Sequence, residues 1–226
     1  NTEVVFTANP ATGYDFNYWS SDASGTVNPT SIVINSETDV NAYFEITSPQ
    51  DILFVVGNTS LNSGDLAVYN RLIDAGYTVS TVDDSASSTS DANGKDLVII
   101  SSTVNSNQVG NKFTHVDQPV LNWEEALHDN LLLEDDGHGK DNNEDIVSII
   151  NSGHSMAAGL SGDVAVILNN NESNFTYAKA TNSRVIRIAA VDGSNDKLLI
   201  FGYEANSTLA DGSTKVNGRR VGFFFT

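Results

Sequence analysis

The chain has 226 residues, 39% of them hydrophobic, and carries 29 acidic against 11 basic residues, a net charge of −18. Because phosphate binding needs a basic surface, this balance excludes nucleic acid as an expected partner and disfavours anionic membrane surfaces. The chain has no cysteine, which excludes disulfides and thiolate chemistry. It also has no run of about 18 apolar residues, so membrane insertion is not expected.

The first 47 residues have the pattern of a small all-β module. Short β-rich runs separated by Gly, Pro and Asn turn residues predict strands at EVVFTA, SIVINS and DVNAYFEI. Aromatic residues that alternate along such strands normally fill the buried face. The predicted core therefore contains Tyr14, Phe16, Trp19 and Phe44. Residues 48–50 are predicted to be a linker to a second domain, residues 51–226.

From Asp51 the pattern changes to alternating strands and helices. DILFVVG is a continuous apolar run, as expected of a strand covered on both faces, and SGDLAVYNRLIDAG has helical spacing that ends at Gly76. Such alternation predicts parallel strands joined by right-handed crossovers. The further predicted elements are the strands YTVSTVDD, DLVIISS and PVLNW and a second helix, EEALHDNLLL.

The last third of the chain predicts strands with shorter connections. DGSNDK, residues 192–197, is predicted to be a turn between two of them. The sheet is therefore expected to be mixed towards one side. The predicted strands are DVAVIL, RVIRIAAV, KLLIFGY and RVGFFFT.

The first domain resembles a known bacterial module. VVFTANPATGYDFNYWSSDASGTVNPTSIVINSETDVNAYF is similar to the C-terminal part of the divergent repeat related to the internalin B repeat. Its pattern is A-x-P-x-x-G-Y-x-F-x-x-W-S, a G-T-x-N-P turn and a final A-x-F. Such modules occur in tandem on secreted and surface proteins of bacteria. The resemblance therefore implies a secreted or cell-surface location.

Residues 51–226 resemble the class I glutamine amidotransferase-like domains, including those of the trehalose-utilisation type. The order of ILFVVGN, YNRLIDAGYTV, KDLVIISS, PVLNWE, GHSMAAGL, LIFGYE and GRRVGFFF carries the resemblance. It implies an α/β, flavodoxin-like fold with a mostly parallel sheet sandwiched by helices.

The catalytic motifs of that family are absent. In working amidotransferases the strand P-V-L-G-I ends in a cysteine on a Gly-flanked elbow, whereas here Glu124 takes the place of the cysteine and Ala126 that of a glycine. Glu204 remains near the last strands, but Tyr203 and Ala205 flank it instead of a histidine pair. A thiolate needs both a thiol and a base, so the amidotransferase chemistry is not implied.

The same sheet edge offers a second candidate chemistry. Glu124 and Asp83 or Asp84 follow strands predicted to be neighbours, and two carboxylates there would suit a hydrolase. The alternative is that Asp83 and Asp84 form a turn or helix cap and Glu124 lies in a first helical turn. His154 is a second weak catalytic candidate, or a cap of the following turn.

The most acidic run is EDDGHGKDNNED, residues 134–145. Asp141, Asn143 and Asp145 have D-x-N-x-D spacing, which directs alternate oxygens at a calcium ion. An EF-type loop is excluded by Ile146 and Ser152. The two interpretations that remain are a looser calcium site and a solvated mobile loop. No other cofactor is predicted.

A ligand pocket is the remaining prediction. Trp123, Asn58, Glu124, Asp83 and Tyr203 would combine an apolar ring with groups that bind hydroxyls. The leading hypothesis is a non-catalytic accessory region of a secreted multidomain bacterial protein, which binds polysaccharide. The alternative is an adhesin or surface-assembly subunit whose open β-module pairs with like chains or with neighbouring domains of the same protein. A carboxylate-based hydrolase is the third hypothesis.

Overall fold

The computed structural model describes residues 2–10, 14–46, 50–134, 138–167, 173–179 and 182–223. The chain divides into two compact units, Asn1–Pro49 and Gln50–Thr226, here called the β-module and the α/β unit. No helix within the described ranges combines the length and apolar character needed to cross a membrane.

The β-module consists of two antiparallel ladders. The first and third strands pair with each other, as do the second and fourth. Within the described residues each ladder has only two strands, so strand edges are left unpaired, and assembly through these edges stays a prediction. The strands are β1 Thr2–Phe6, β2 Tyr14–Ser21, β3 Thr30–Ile34 and β4 Val40–Ile46.

The core of the β-module is smaller than predicted. Ala8, Trp19 and Ala23 are its buried apolar residues, and Phe16 packs against them. Tyr14 and Phe44, which were predicted to lie in the core, are exposed. A unit of this size buries only part of its apolar surface, and here Trp19 takes the central position.

The first half of the α/β unit follows the predicted alternation closely. The apolar run at 52–56 is fully buried, as expected of a strand covered on both faces. Gly76 ends the long helix in a left-handed conformation (φ +91°). The elements are β5 Asp51–Val56, α1 Ser63–Asp74, β6 Thr78–Asp83, β7 Leu97–Ile100, the one-turn α2 Ser106–Val109 and β8 Val120–Asn122.

The second half is richer in strands than predicted. Its connections are short, and 192–197 forms the predicted turn region between two antiparallel strands. The strands are β9 His138–Glu144, β10 Ile146–Ile149, β11 Gly162–Ala165, β12 Ser173–Ala178, β13 Ile186–Ala190, β14 Leu198–Tyr203 and β15 Arg220–Phe223.

All strands of the α/β unit, β5 to β15, belong to one mixed sheet. Its parallel part has the order β6-β5-β7-β8-β15, which is 2-1-3-4-5 when the five strands are numbered along the chain. This is the flavodoxin-type order, so the predicted α/β fold is confirmed. Beyond β15 the sheet continues with antiparallel strands, as the short connections indicated. The strand order reverses between β5 and β7, which places a ligand crevice there.

Two local predictions were wrong. The predicted helix over 124–133 is a single 3-10 turn, Glu125–Leu127, followed by further turns. Leu127, Leu131 and Leu133 are all buried, and one helix would point Leu131 and Leu133 in nearly opposite directions. The run 134–145, predicted as a solvated loop, contains β9, which pairs with β12. Residues 135–137 of this run lie outside the described residues.

One buried cation anchors the chain before β8. The Arg220 guanidinium is completely buried, and it donates hydrogen bonds to the carbonyl oxygens of Val116 (2.6 Å), Gln118 (2.7 Å), Gly218 (3.0 Å) and Thr114 (3.3 Å). Burial lowers the pKa of Arg220 to about 10, so the group stays charged at neutral pH. The side chain thereby holds the segment that leads into β8.

Candidate functional site

A crevice of about 360 Å³ opens at the switch point of the parallel strands. It lies between the first turn of α1 and the loop after β7, and the residue that follows β8 closes one side. The side chains combine one large aromatic ring with several hydroxyl and amide groups. The lining residues are Asn62, Ser63, Gly64, Asp65, Val68, Ser102, Thr103 and Trp123.

A buried carboxylate organises the floor of the crevice. Asp65 is 5% exposed and accepts hydrogen bonds from the hydroxyls of Ser101 (2.5 Å) and Thr103 (2.8 Å). The Asn62 side chain caps α1 by accepting from the Asp65 N–H at 2.8 Å. Gly57 N–H donates to Thr103 Oγ1 at 3.1 Å, and a Cβ on Gly57 would collide with the Thr103 carbonyl. These bonds lock the loop after β7 onto the start of α1.

Trp123 forms the aromatic wall of the crevice. Its backbone N–H donates to the Ile100 carbonyl at 3.1 Å, which continues the pairing of β8 with β7. The indole packs on Phe54 with a centroid separation of 5.9 Å, and the residue is half-buried. The ring is therefore held by the core on one side while it lines the crevice with the other.

Glu124 follows Trp123 in ordinary extended backbone (φ −93°, ψ 107°). The strained elbow of a nucleophile is not formed at this position. The buried Asn122 side chain donates to the Glu124 carbonyl at 2.8 Å. Burial, and then the charge of Glu125, raise the pKa of Glu124 to about 7, so its carboxyl is partly protonated at neutral pH.

The structure does not bring the proposed carboxylate pair together. Asp83 ends β6, and β5 and β7 lie between β6 and β8, which amounts to about 14 Å of sheet. The strands were predicted to be neighbours, and this was wrong because the chain order of parallel strands does not reveal their order in the sheet. Hydrogen bonds from Ser85 to Asp83 lower the pKa of that carboxyl, as in a turn. Asp84 is buried and accepts from Asn105 N–H at 2.5 Å.

Two further predicted ligand residues lie away from the crevice floor. Asn58 is exposed on the loop after β5, where its side chain accepts from the Ser60 N–H at 2.8 Å. Tyr203 is completely buried in the larger core cluster and its hydroxyl donates to the Leu133 carbonyl at 3.3 Å. Trp123 packs on the smaller cluster, so Tyr203 does not join it in one pocket.

His154 caps the short 3-10 turn that follows it. Its Nδ1 accepts from the Met156 N–H at 3.2 Å, which leaves Nε2 at 3.6 Å from a Glu204 carboxylate oxygen. Arg219 donates to the other oxygen of Glu204 at 3.0 Å. Arg219 precedes β15, so this charged group lies at the sheet edge opposite the one that carries Trp123 and Glu124.

The residues of the predicted calcium site lie on and just after β9. Asp141 forms an ion pair with Lys197 at 2.6 Å, and the Asp145 carbonyl accepts from Val166 N–H at 2.9 Å. The side chain of Asn143 lies outside the described residues. Folding instead brings Asp141 close to Glu144 and Asp192. Calcium binding through Asp141, Asn143 and Asp145 stays a prediction.

Sequence reasoning missed the residues that build the crevice floor. Leu66 and Ile73 belong to the apolar helical spacing of SGDLAVYNRLIDAG, yet both are exposed, whereas Asp65 is buried. The available signal was the polar triplet Ser101–Ser102–Thr103 directly after a buried strand, because buried hydroxyls need partners.

The geometry suits binding better than covalent catalysis. Ser101 is completely buried with its hydroxyl donated to Asp65, so it cannot reach a ligand as a nucleophile. The polar and aromatic groups of the crevice are one indole face, several hydroxyl and amide groups, and the largely buried Asp65 carboxylate. Such a combination stacks on a flat ligand and hydrogen-bonds to its polar groups.

Comparison with protein families confirms the resemblance of the first domain. Residues 1–48 match the family model described as the divergent InlB B-repeat domain. No curated protein sequence matches the chain.

Solved structures similar to the chain include a glutamine amidotransferase from Thermotoga maritima. It is 10% identical, with 79% of this chain and 76% of that chain covered and a TM-score of 0.47. They also include a ThuA-like protein from Bacteroides uniformis, which is 8% identical, with 78% of this chain and 83% of that chain covered and a TM-score of 0.46.

Proposed function

We propose that the chain is a non-catalytic accessory region of a secreted bacterial protein and that the α/β unit binds carbohydrate in the Trp123 crevice. The observation that carries this proposal is an indole fixed on Phe54 at the wall of a crevice whose other groups are mainly hydroxyls and amides. The repeat match of residues 1–48 supports the accessory character and the extracellular setting.

The physical basis is complementarity to a sugar ring. A pyranose has a flat apolar face that stacks on an aromatic ring, and its hydroxyls pair with Asn, Ser and Thr side chains. Trp123 is held in place before any ligand arrives, so binding costs little side-chain entropy. A crevice of about 360 Å³ is at the lower end of the range for small-ligand sites, which suits one or two sugar residues.

The test is a screen of the full chain against an array of α- and β-linked oligosaccharides, followed by calorimetric titration of the best ligand. Trp123→Ala is expected to weaken binding at least tenfold, while Trp123→Phe keeps most of it because a stacking face remains. Leu66→Ala, on the exposed face of the same helix that lines the crevice, is the matched control and is expected to leave affinity unchanged.

Two binding results would contradict the proposed carbohydrate site. One is a glycan that binds the Trp123→Ala variant as tightly as the unchanged chain. The other is the absence of binding to every oligosaccharide on the array at millimolar concentration. Turnover of any glycan would show that the chain is an enzyme rather than a binding domain.

A further inference from the structure

An exposed aromatic pair lies on the solvent face of the β2–β4 ladder, in the β-module. The rings of Tyr18 and Tyr43 stack with centroids 4.6 Å apart and planes 5° from parallel. The two residues are directly opposite each other in the ladder and are 40% and 48% exposed. Their inner faces are used by the partner ring, so the outer faces are the ones offered to a ligand.

Next to the tyrosines, two carboxylates also lie directly opposite each other. Asp15 pairs with Glu45 in the same ladder, and both are exposed. Like charges at directly opposed positions of an antiparallel pair repel each other. The Asn17 amide donates to Glu45 at 3.1 Å, which satisfies one carboxylate oxygen but neutralises no charge.

Nothing in the β-module itself supplies the missing positive charge. Residues 1–47 contain six acidic residues and no Lys, Arg or His. Tyr43 and Glu45 are two residues apart on β4, about 7 Å along the strand. A cation beside this pair would therefore meet both a ring face and a carboxylate, and the electrostatic field of the module attracts it.

We propose that this face, formed by Asp15, Tyr18, Tyr43 and Glu45, binds Lys or Arg side chains of a basic protein segment. An arginine guanidinium stacks on the outer face of a tyrosine and pairs with the adjacent carboxylate. An extended peptide with a basic residue at every second position repeats its side chains with the spacing of the ladder. This surface is separate from the Trp123 crevice and does not depend on the carbohydrate proposal.

The full chain is titrated with an acetylated and amidated peptide of four Arg-Gly repeats, and binding is monitored by NMR and calorimetry. The matched probe replaces each arginine with citrulline, which has a similar shape and no charge. Resonances of Tyr18, Tyr43 and Glu45 are expected to shift with the arginine peptide, and the citrulline peptide is expected to bind at least tenfold more weakly.

Substitutions distinguish binding at this face from attraction by the overall negative charge of the module. Asp15→Asn with Glu45→Gln is expected to weaken binding at least fivefold. The control, Glu3→Gln with Glu37→Gln, removes the same charge from exposed positions elsewhere in the module and is expected to change binding less than twofold. Tyr18→Leu with Tyr43→Leu is also expected to weaken binding at least fivefold, whereas the double Phe variant keeps it.

Several outcomes would overturn the proposal. If the Asp15/Glu45 variant and the Glu3/Glu37 control lose the same affinity, net charge alone explains the binding. If the double Leu variant binds as tightly as the unchanged chain, the tyrosine rings do not contribute. Shifts of the same resonances with calcium chloride alone, or with an oligosaccharide but not with the arginine peptide, would assign the surface to another ligand. Circular dichroism of each variant checks that the module is folded.

Discussion

The chain carries two aromatic surfaces whose surroundings differ in kind. Trp123 is half-buried on a large core and is accompanied mainly by neutral hydroxyl and amide groups. Tyr18 and Tyr43 are exposed on a thin two-stranded ladder next to two carboxylates. An aromatic face accepts either a sugar or a cation, so the polar groups beside it decide between these ligands. This difference in surroundings is why we propose a neutral ligand for the crevice and a basic one for the β-module.

The largest loss of stability confined to one of the two regions is expected from Arg220→Ala in the α/β unit. It leaves the carbonyls of Thr114, Val116, Gln118 and Gly218 buried without their donor, which costs at least about 3 kcal/mol of unfolding free energy. Urea unfolding followed by the fluorescence of Trp123 in a Trp19→Phe background measures this loss.

The neighbouring Arg219 provides the control for that prediction. It is partly exposed in an ion pair with Glu204, so Arg219→Ala is expected to cost less than about 1 kcal/mol. Trp19 fluorescence in a Trp123→Phe background reports on the β-module and is expected to shift little in either variant. Equal losses for Arg219 and Arg220 would show that the buried guanidinium has no special role.

A smaller loss is expected from Asp65→Ala, which tests how the crevice is held open. Removing the carboxylate deletes its hydrogen bonds with Ser101 and Thr103, and we expect a loss of about 2–4 kcal/mol in unfolding free energy. Asp74→Ala, at the exposed end of the same helix, is expected to cost less than about 0.5 kcal/mol. If both variants unfold at the same urea concentration, the Asp65 network does not stabilise the crevice.

A more gradual effect is the pH dependence of stability, which is expected to be restricted to the α/β unit. Burial, and then the charge of Asp129, raise the pKa of Glu134 from 4.5 to about 8, although Lys179 opposes the shift and His138 lies 3.6 Å away. Between these two values the folded state holds a proton that the unfolded state releases. Stability therefore falls as pH rises from about 4.5 to about 8, by at most about 1.4 kcal/mol per pH unit.

The contribution of His128 to stability changes with pH in the opposite direction. Burial lowers its pKa from 6.5 to about 3, so stability falls as pH decreases through that window. Glu124, whose pKa is raised to about 7, has the same sign as Glu134, so above pH 4.5 the two carboxyls outweigh His128 and stability is expected to be greatest near pH 4.5. Unfolding measured by Trp123 fluorescence from pH 4 to 9 checks this, and Glu134→Gln is expected to remove the decline between about pH 7 and 8. The described buried residues of the β-module are apolar and have no titratable group. If unfolding followed by Trp19 fluorescence showed the same pH profile, the pH dependence would not arise from Glu134 and His128.

The sequence predicted the parallel half of the sheet well because local patterns determine it. Continuous apolar runs produced β5, β7 and β8, and helical spacing with a terminal glycine produced α1. It failed at 124–133, where three buried leucines have a spacing that no single helix can satisfy. It also missed β9, whose polar residues pair with β12 from a distant part of the chain.

Among the residues that line the crevice, Trp123 was named from the sequence because it directly follows a recognisable strand. Asp65 was not, since a first-turn aspartate is normally solvated and only contact with Ser101 and Thr103 makes its burial favourable. The sequence by itself determined the acidic surface, the repeat pattern of the first domain and the alternation of the second, all of which depend on composition and short-range periodicity. The tertiary structure alone decided which strands are neighbours, and thus which side chains share a crevice, because parallel pairing joins residues far apart in the chain.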